Sequence, residues 1–521
     1  MPMSGQWPFE SVLIVNRGEI AVRIIHACRE MGLKSVAVYS DADRAARHVR
    51  LADEAYHIGP APARDSYLNI PKLLDVARRS GAKAVHPGYG FLAENADFAD
   101  ACAEAGLIFV GPTGDAMRAV GEKTSARRVA QKAGVPIVPG ATAGLEDAQE
   151  AARLAETLGY PVMLKAAAGG GGMGQRVVQR PEEIEAALRS ARSEAASAFG
   201  DSEVYMEKAI APARHIEVQI IGDTHGQIVH LGERECSVQR RRQKLIEESP
   251  SVALDDELRA KFTDSAIKVA AAIGYTNAGT CEFLLGPDRQ FYFLEVNTRL
   301  QVEHPVTEWR TGLDLVKEQL RVAAGLPLSF TQEQVRFRGH AIECRVTAEN
   351  PYNRFLPRGG VIAAYQEPGG PGVRVDSGAY AGMDVPVFYD SLLAKLITWG
   401  EDRAEAIARL RRALDEYTIA GVSTTIPFHQ FAIQHPRFVA GDLSTGWVAE
   451  TWGESGEKAA PDGPAADGAL SQEAVAALAA ALVERDAGAA ARRRIHAGGA
   501  ADGSERSPWR EAGRRAALRG W

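Results

Sequence analysis

The sequence predicts an α/β (α+β) protein: an N-terminal doubly wound parallel sheet, a small inserted lid with a central domain, and a mixed, β-rich C-terminal domain. Three observations predict it. Strand and helix signals alternate over about the first 110 residues. A glycine loop separates two short strands near residue 170. From about 206 to 450 the chain is dominated by β-rich runs. Strands alternating with helices imply parallel pairing, because each crossover returns the chain in the same direction.

Val12–Val15 reads as the first strand, Glu19–Met31 as a helix closed by Gly32, and Val36–Tyr39 as the second strand. Ala82–Val85 and Leu107–Val110 read as further strands, running into His86-Pro-Gly-Tyr-Gly90 and Gly111-Pro112. The first turn, Asn16-Arg-Gly-Glu19, is not G-x-G-x-x-G, so no dinucleotide site is indicated. A helix over 147–158, a strand Pro161–Lys165, the glycine loop, a strand Arg176–Val178 and a helix over 181–198 form the expected lid, about 138–205. After about 452, GESGEKAAPDGPAADGAL reads as a flexible linker, followed by an Ala-rich helix over 472–487 and a basic tail. The expected divisions are 1–120, 121–330 with the lid, 331–450 and a tail of unknown role, 451–521.

At 521 residues the length fits roughly three domains. Hydrophobic content of 45% and charged content of 24% are those of an ordinary globular chain. The net charge of -7 argues against nucleic-acid or membrane binding. MPMSGQWPFE lacks the charged and apolar regions of a secretory signal, so a cytoplasmic location is expected. Cys28, Cys102, Cys236, Cys281 and Cys344 form no C-x-x-C pair, which predicts buried free thiols in a reducing compartment.

The densest chemistry lies in Glu295-Val-Asn-Thr-Arg-Leu-Gln-Val-Glu303. Alternation puts Glu295, Asn297, Arg299, Gln301 and Glu303 on one face of an extended chain. Glu and Asn are hard oxygen ligands suited to Mg²⁺. Arg and Glu together can hold and deprotonate a small anion. A straight strand would span roughly 27 Å, too long for one small-molecule centre, so a bend after the metal pair is expected. Glu282 interrupts the apolar run Gly279–Leu285; burying it demands a partner, and Glu295 on a neighbouring strand would complete a Mg²⁺-nucleotide site. Four glycines after Lys165 leave amides free to wrap an anion, without the G-K-[ST] of a Walker A loop. Lys123 could add a phosphate-directed charge. The edge of Glu203–Ile210 could offer backbone groups of Lys208 and Ile210 to an adenine, with Glu207 on an amino group or ribose. Glu235–Lys244 is a basic run able to stabilise a phosphoryl or carboxyl anion. In Gly339–Thr347, Glu343, Arg345 and Thr347 share one face.

NRGEIA (16–21), HPGYGFLAEN (86–95), KAAAGGGGMG (165–174), ECSVQRRRQK (235–244), EVNTRLQVEHPVTE (295–308), GHAIECR (339–345) and FLPRGG (355–360) occur in the order seen in biotin carboxylases. Over about residues 10–450 the chain resembles the biotin-carboxylase component of acyl-CoA carboxylases, an ATP-grasp family. The resemblance implies an ATP-dependent ligase forming carboxybiotin from ATP, bicarbonate and biotin. It implies ATP contacts from Lys123, Lys165, Gly171, Gly172, Glu207, Lys208, Ala209, Ile210, His215, Gln239, Glu282 and Glu295. It implies Mg²⁺ or Mn²⁺ on Glu282, Glu295 and Asn297. Bicarbonate would meet Lys244, Arg299, Gln301, Val302 and Glu303, with Glu303 as base, and Arg345 would face the biotin ureido oxygen. A carbamoyl-phosphate-type ligase and a nucleotide-binding assembly subunit without turnover are the alternatives.

Several positions depart from the family pattern. Met173 stands where Arg or Lys is usual, Gln175 where Met is usual, and Arg242 where His is frequent. His26 replaces an Arg common at the dimer interface of bacterial members. No Met-Lys dipeptide occurs in the chain. Longer relatives carry biotin on the Lys of an Ala-Met-Lys-Met element, so biotin on a separate carrier protein is expected here. A homodimer working with a biotin carboxyl carrier protein and a carboxyltransferase subunit is the expected assembly.

Overall fold

Residues 7–141, 143–167 and 175–459 are described by a computed structural model. Gly171, Gly172 and Met173 of the glycine loop, the helix expected over 472–487 and the basic tail lie outside the described residues.

Strands β1 (Ser11–Ile14), β2 (Lys34–Ser40), β3 (Glu54–Gly59), β4 (Ala84–His86) and β5 (Ile108–Phe109) form one sheet in the order β3-β2-β1-β4-β5, and every pair is parallel. Helices α1 (Gly18–Glu30), α2 (Arg47–Leu51), α3 (Ile70–Ser80) and α4 (Ala96–Glu104) supply the crossovers. Asn69 and Asn95 cap α3 and α4 by accepting from Lys72 N (3.1 Å) and Phe98 N (2.7 Å). Gly81 ends α3 at φ +70°, a left-handed turn that favours glycine. The sequence reading missed α2, β3, α3 and α4; of these, β3 buries only Ile58 fully.

After α5 (Gly114–Gly121) and α6 (Lys123–Lys132), α7 (Ala148–Leu158), β6 (Val162–Ala166), β7 (Arg176–Val178), α8 (Ile184–Phe199) and β8 (Val204–Lys208) build the lid. Its sheet has the order β7-β6-β8. Its own core joins Leu145, Val162, Leu164, Ile184, Leu188 and Met206. The unit therefore includes β8, beyond the residue-205 limit expected for the lid, because Met206 closes that core.

The largest sheet has eight strands. They are β9 (Arg214–Gly222), β10 (Ile228–Arg240), β11 (Gln243–Ser249), β12 (Asn277–Leu285), β13 (Phe291–Asn297), β14 (His340–Thr347), and, further on, β19 (Val373–Ser377) and β21 (Leu392–Gly400). Between them lie the short strands β15 (Glu349–Asn350), β16 (Leu356–Pro357), β17 (Gly360–Val361), β18 (Ala364–Gln366) and β20 (Asp384–Val385). The order β13-β12-β9-β10-β11-β14-β21-β19 is continuous, so the central and C-terminal regions share one ladder. Helices α9 (Asp256–Ala272), α10 (His304–Thr311), α11 (Leu315–Ala323) and α12 (Arg403–Glu416) cover it. No helix among the described residues is long and apolar enough to cross a membrane. All five cysteines are buried and unpaired.

On β11, Glu248 is 2% exposed and paired with His340 (2.6 Å) and Arg403 (2.7 Å). Burial works to raise its carboxyl, yet the His340 hydrogen bond and the Arg403 charge hold it down to about 2. A depressed carboxyl stabilises the fold above its ordinary value of 4.5, and that contribution is lost as pH falls from 4.5 toward 2. Glu248→Gln is expected to flatten this acid limb in equilibrium unfolding, and to remove on the order of 3 kcal/mol at neutral pH.

Candidate active site

The register of the large sheet sets a line of charge across four strands. Glu295 on β13 lies opposite Glu282 on β12, Glu282 opposite Glu217 on β9, and Glu217 opposite Arg234 on β10. Like charges directly opposite one another destabilise a sheet, so three acids in a row demand cations. Lys244 on β11 answers two of them, donating to Glu217 (2.5 Å) and Glu282 (2.9 Å), and it also reaches Glu303 (2.5 Å). Burial alone would lower the Lys244 ammonium; the three carboxylates outweigh it and hold it well above its usual range.

For Glu295, at the end of the row, the countering charge is Lys123. Burial and the Glu282 charge both push its carboxyl up. Glu282 is held well down, since Lys244 and His215 outweigh its burial. His215 Nε2 lies 2.9 Å from Glu282 Oε2, and Asn297 Nδ2 donates to Glu282 Oε1 (2.9 Å). His215, Glu217 and Glu282 each bring one ligand atom within 4.8 Å of the others. Two carboxylates opposite each other in the ladder suit a hard divalent cation; Asn297 beside them has its Oδ1 on Arg299 (3.2 Å).

The extended face expected over 295–303 is interrupted. Strand β13 ends at Asn297, the chain turns, and Glu303 becomes the N-cap of α10. The bend after the metal pair is thus present, and it returns Glu303 toward Lys244. Arg299 and Gln301 lie within the turn. Arg299 donates to Gln301 Oε1 (2.9 Å) and Asn297 Oδ1 (3.2 Å), and Gln301 donates to Glu282 (3.2 Å). The Val302 carbonyl accepts from Lys395 on β21 (2.8 Å).

Glu303 is fully buried, at the positive end of α10, between Lys244 and Arg345 Nη2 (2.8 Å). Burial pushes its carboxyl up, but Lys244, Arg345 and Arg234 hold it well below the usual carboxylate range. Arg345 on β14 donates through Nε to Glu247 on β11 (2.5 Å).

Of the expected nucleotide residues that are described, Lys165, Glu207 and Lys208 stand on the lid sheet and His215, Gln239, Glu282 and Glu295 on the large sheet. Lys165 on β6 pairs with Glu207 on β8, which Arg127 also reaches (3.1 Å). Glu207 is therefore ion-paired inside the protein, where the sequence reading had it facing an amino group or ribose. The edge expected beside it is also partly used: Lys208 N donates to the Pro139 carbonyl (2.8 Å) and Ala209 N to that of Pro161 (3.1 Å). Lys123 opens α6, and burial followed by nearby Lys165 lowers its ammonium, opposed by Glu295. Gln239 Nε2 lies 3.3 Å from His215 Nδ1. Ile210 follows Ala209 at the exit from the lid sheet.

Sequence reasoning missed Glu94, Glu217, Arg234, Glu247 and Lys395. Glu94 holds Arg299 (2.8 Å) and accepts from Thr298 N (3.1 Å). Lys395 is fully buried, 3.1 Å from Glu19 of α1. Glu217 and Lys395 each interrupt an apolar strand, the same signal that singled out Glu282.

A lid, a carboxylate pair able to take a divalent cation, and an acid between two cations define an ATP-dependent ligase of the ATP-grasp class. Residues 8–117 match the model of the biotin carboxylase N-terminal domain, 122–331 the carbamoyl-phosphate synthase L chain ATP-binding domain, and 343–450 the biotin carboxylase C-terminal domain. The chain is 55% identical to Biotin carboxylase 1 of Bacillus subtilis, over 84% of this chain and 97% of that protein. It is 47% identical to the propionyl-CoA carboxylase alpha chain of Ruegeria pomeroyi, over 86% of this chain and 69% of the other. The 2-oxoglutarate carboxylase biotin carboxylase domain dimer of Hydrogenobacter thermophilus, a complex with MgADP, ADP and bicarbonate, superimposes with a TM-score of 0.83 at 47% identity, covering 85% of this chain and 97% of that one. The chain belongs to the biotin carboxylase family.

Proposed function

We propose that this enzyme carboxylates biotin on a carrier protein with ATP and bicarbonate, through carboxyphosphate, as the first half-reaction of an acyl-CoA carboxylase of the acetyl-, propionyl- or methylcrotonyl-CoA type. The observation that carries the reading is the buried Glu303, held between Lys244 and Arg345 at the start of α10. Glu303 takes the bicarbonate proton as the anion attacks the γ-phosphate. Lys244 and Arg299 hold bicarbonate, with Gln301 and the Val302 backbone beside them. Lys123, Lys165, the loop at Gly171 and Gly172, the backbone over Glu207 to Ile210, His215 and Gln239 hold ATP. Glu282, Glu295 and Asn297 would hold Mg²⁺ or Mn²⁺, which when bound neutralises charge on the phosphates. The lid shields carboxyphosphate from water, and Arg345 stabilises the ureido oxygenate of biotin.

Purified protein given ATP, Mg²⁺, labelled bicarbonate and biotin or biotinylated carrier is expected to form carboxybiotin. Ammonia-dependent, biotin-independent turnover would select a carbamoyl-phosphate-type ligase. ATP binding without bicarbonate-dependent hydrolysis would select an assembly subunit. Arg345→Gln is expected to lower carboxybiotin formation about 10²-fold while ATP affinity stays within about twofold; equal loss of both would oppose the role given to Arg345. The propionyl-CoA carboxylase relative supports an acyl-CoA acceptor. Transfer of the carboxyl group to a 2-oxo acid by the native carboxyltransferase would replace that part of the reading. The assembly we favour is a cytoplasmic homodimer working with a biotin carboxyl carrier protein and a carboxyltransferase subunit; the domain dimer of the Hydrogenobacter relative supports the first of these contacts.

A further inference from the structure

Beneath Arg345 lies a group of acids to which the reaction outlined above gives no role. Glu247 on β11 and Glu343 on β14 are directly opposite each other in the ladder, and both are fully buried. Directly opposite side chains on one face have Cβ atoms about 5 Å apart. Glu247 Oε1 accepts from Arg345 Nε, while its Oε2 has no hydrogen-bond partner among the described residues. Neither carboxyl oxygen of Glu343 has one. Two adjacent carboxyls with three unpartnered oxygens cannot both stay ionised away from water. Other charged or titratable groups act on this pair. They are Lys244 from β11, Cys236 from β10, Cys344 and Arg345 from β14, Lys395 from β21 and Glu303 from the start of α10. Lys395 is already engaged by Glu19 and the Val302 carbonyl.

Arg345 is therefore gripped at two points by two different acids. Nη2 meets Glu303, which changes charge during the reaction, and Nε meets Glu247, which the substrates do not need to touch. Once Glu303 has accepted a proton from bicarbonate it is neutral and its hold on Nη2 weakens. A guanidinium held only there would lose its aim when the ureido oxygen needs it.

We propose that Glu247 is a positioning residue for the biotin half of the reaction. It holds Arg345 by Nε throughout turnover, with Glu343 as its neutral, proton-bearing neighbour. The arrangement keeps Nη2 aimed at the ureido oxygen after Glu303 lets go. This rests on the role given above to Arg345. Burial raises the Glu247 carboxyl to about 7, with Arg345 opposing and Glu303 adding to the rise, and burial raises Glu343 well beyond the usual carboxylate range. The anchor is thus charged above about pH 7 and neutral below it.

The test compares full-length wild type with Glu247→Gln in two reactions, biotin carboxylation and bicarbonate-dependent ATP hydrolysis without biotin. The variant is expected to lose about 10²-fold in kcat/KM for biotin, mostly through KM, with biotin-free hydrolysis within about twofold of wild type. The wild-type profile of kcat/KM for biotin should rise through a group near pH 7, and the variant should lack that limb. Infrared spectra at neutral pH should show a protonated-carboxyl band that Glu343→Gln removes. A Glu247→Gln enzyme with unchanged KM and pH limb, or one losing both reactions equally, overturns the proposal; so does Glu343→Gln leaving the infrared band in place. If Glu247→Gln does not fold, a wild-type profile without the limb near pH 7 overturns it as well. A wild-type enzyme forming no carboxybiotin would instead sink the reading on which this one rests.

Discussion

Glu303→Gln is expected to lower bicarbonate-dependent ATP hydrolysis and carboxybiotin formation together by about 10²–10⁴-fold, with ATP affinity retained. Gln keeps the size of the side chain and its place at the start of α10 but cannot accept a proton. The effect should fall on the bicarbonate step, because Glu303 contacts Lys244 and Arg345 and no expected nucleotide residue. The carboxylate is held ionised by these two cations and Arg234, which makes it available at neutral pH but weakly basic. Its basicity rises when an incoming anion takes a share of the Lys244 charge, so the base becomes competent only once its substrate is in place. Phosphate release with and without bicarbonate, together with nucleotide binding, checks this. A Gln enzyme within tenfold of wild type would remove Glu303 from the reaction.

Local pattern made the parallel sheet and much of the site legible in the sequence. Val12–Val15 and the helix after it carry strong apolar periodicity, and β1 and α1 lie where that pattern places them. Glu282 stands out because an acid in an apolar strand needs a partner. What stayed illegible is cross-strand register. Nothing local says that Glu217 falls in the row of Glu282 and Glu295, or that Glu247 faces Glu343. Those facts depend on turn lengths and bulges, such as the shift between Glu282 and Phe283, that only the closed sheet fixes. Glu207 shows the same limit: its strand is readable, but its pairing with Lys165 and Arg127 comes from the packing of the lid sheet against α6.

Register also places the heaviest structural demand on a residue the sequence reading passed over. Arg234 is fully buried. Its guanidinium reaches four side chains on three elements at once: Glu217 and Gln219 on β9 (2.5 and 2.7 Å), Thr280 on β12 (3.0 Å) and Thr307 on α10 (2.9 Å). The last contact fixes the helix that Glu303 begins. Arg234→Met keeps most of the volume but strands Glu217 with Lys244 as its remaining cation, and orphans three polar side chains. Removing one partner of a buried ion pair costs about 3–5 kcal/mol. The urea midpoint should fall accordingly, and carboxylation should fall with it as α10 loosens and Glu303 loses its aim. Arg234→Lys should recover only part of the loss, since one ammonium cannot replace a fork that serves four partners. The double variant Arg234→Met/Glu217→Met should be more stable than Arg234→Met alone, because it removes the buried acid that the single change leaves uncompensated. A single Arg234→Met variant within about 1 kcal/mol of wild type would show that the charged row is held by Lys244 and by the sheet's backbone ladder, with Arg234 dispensable.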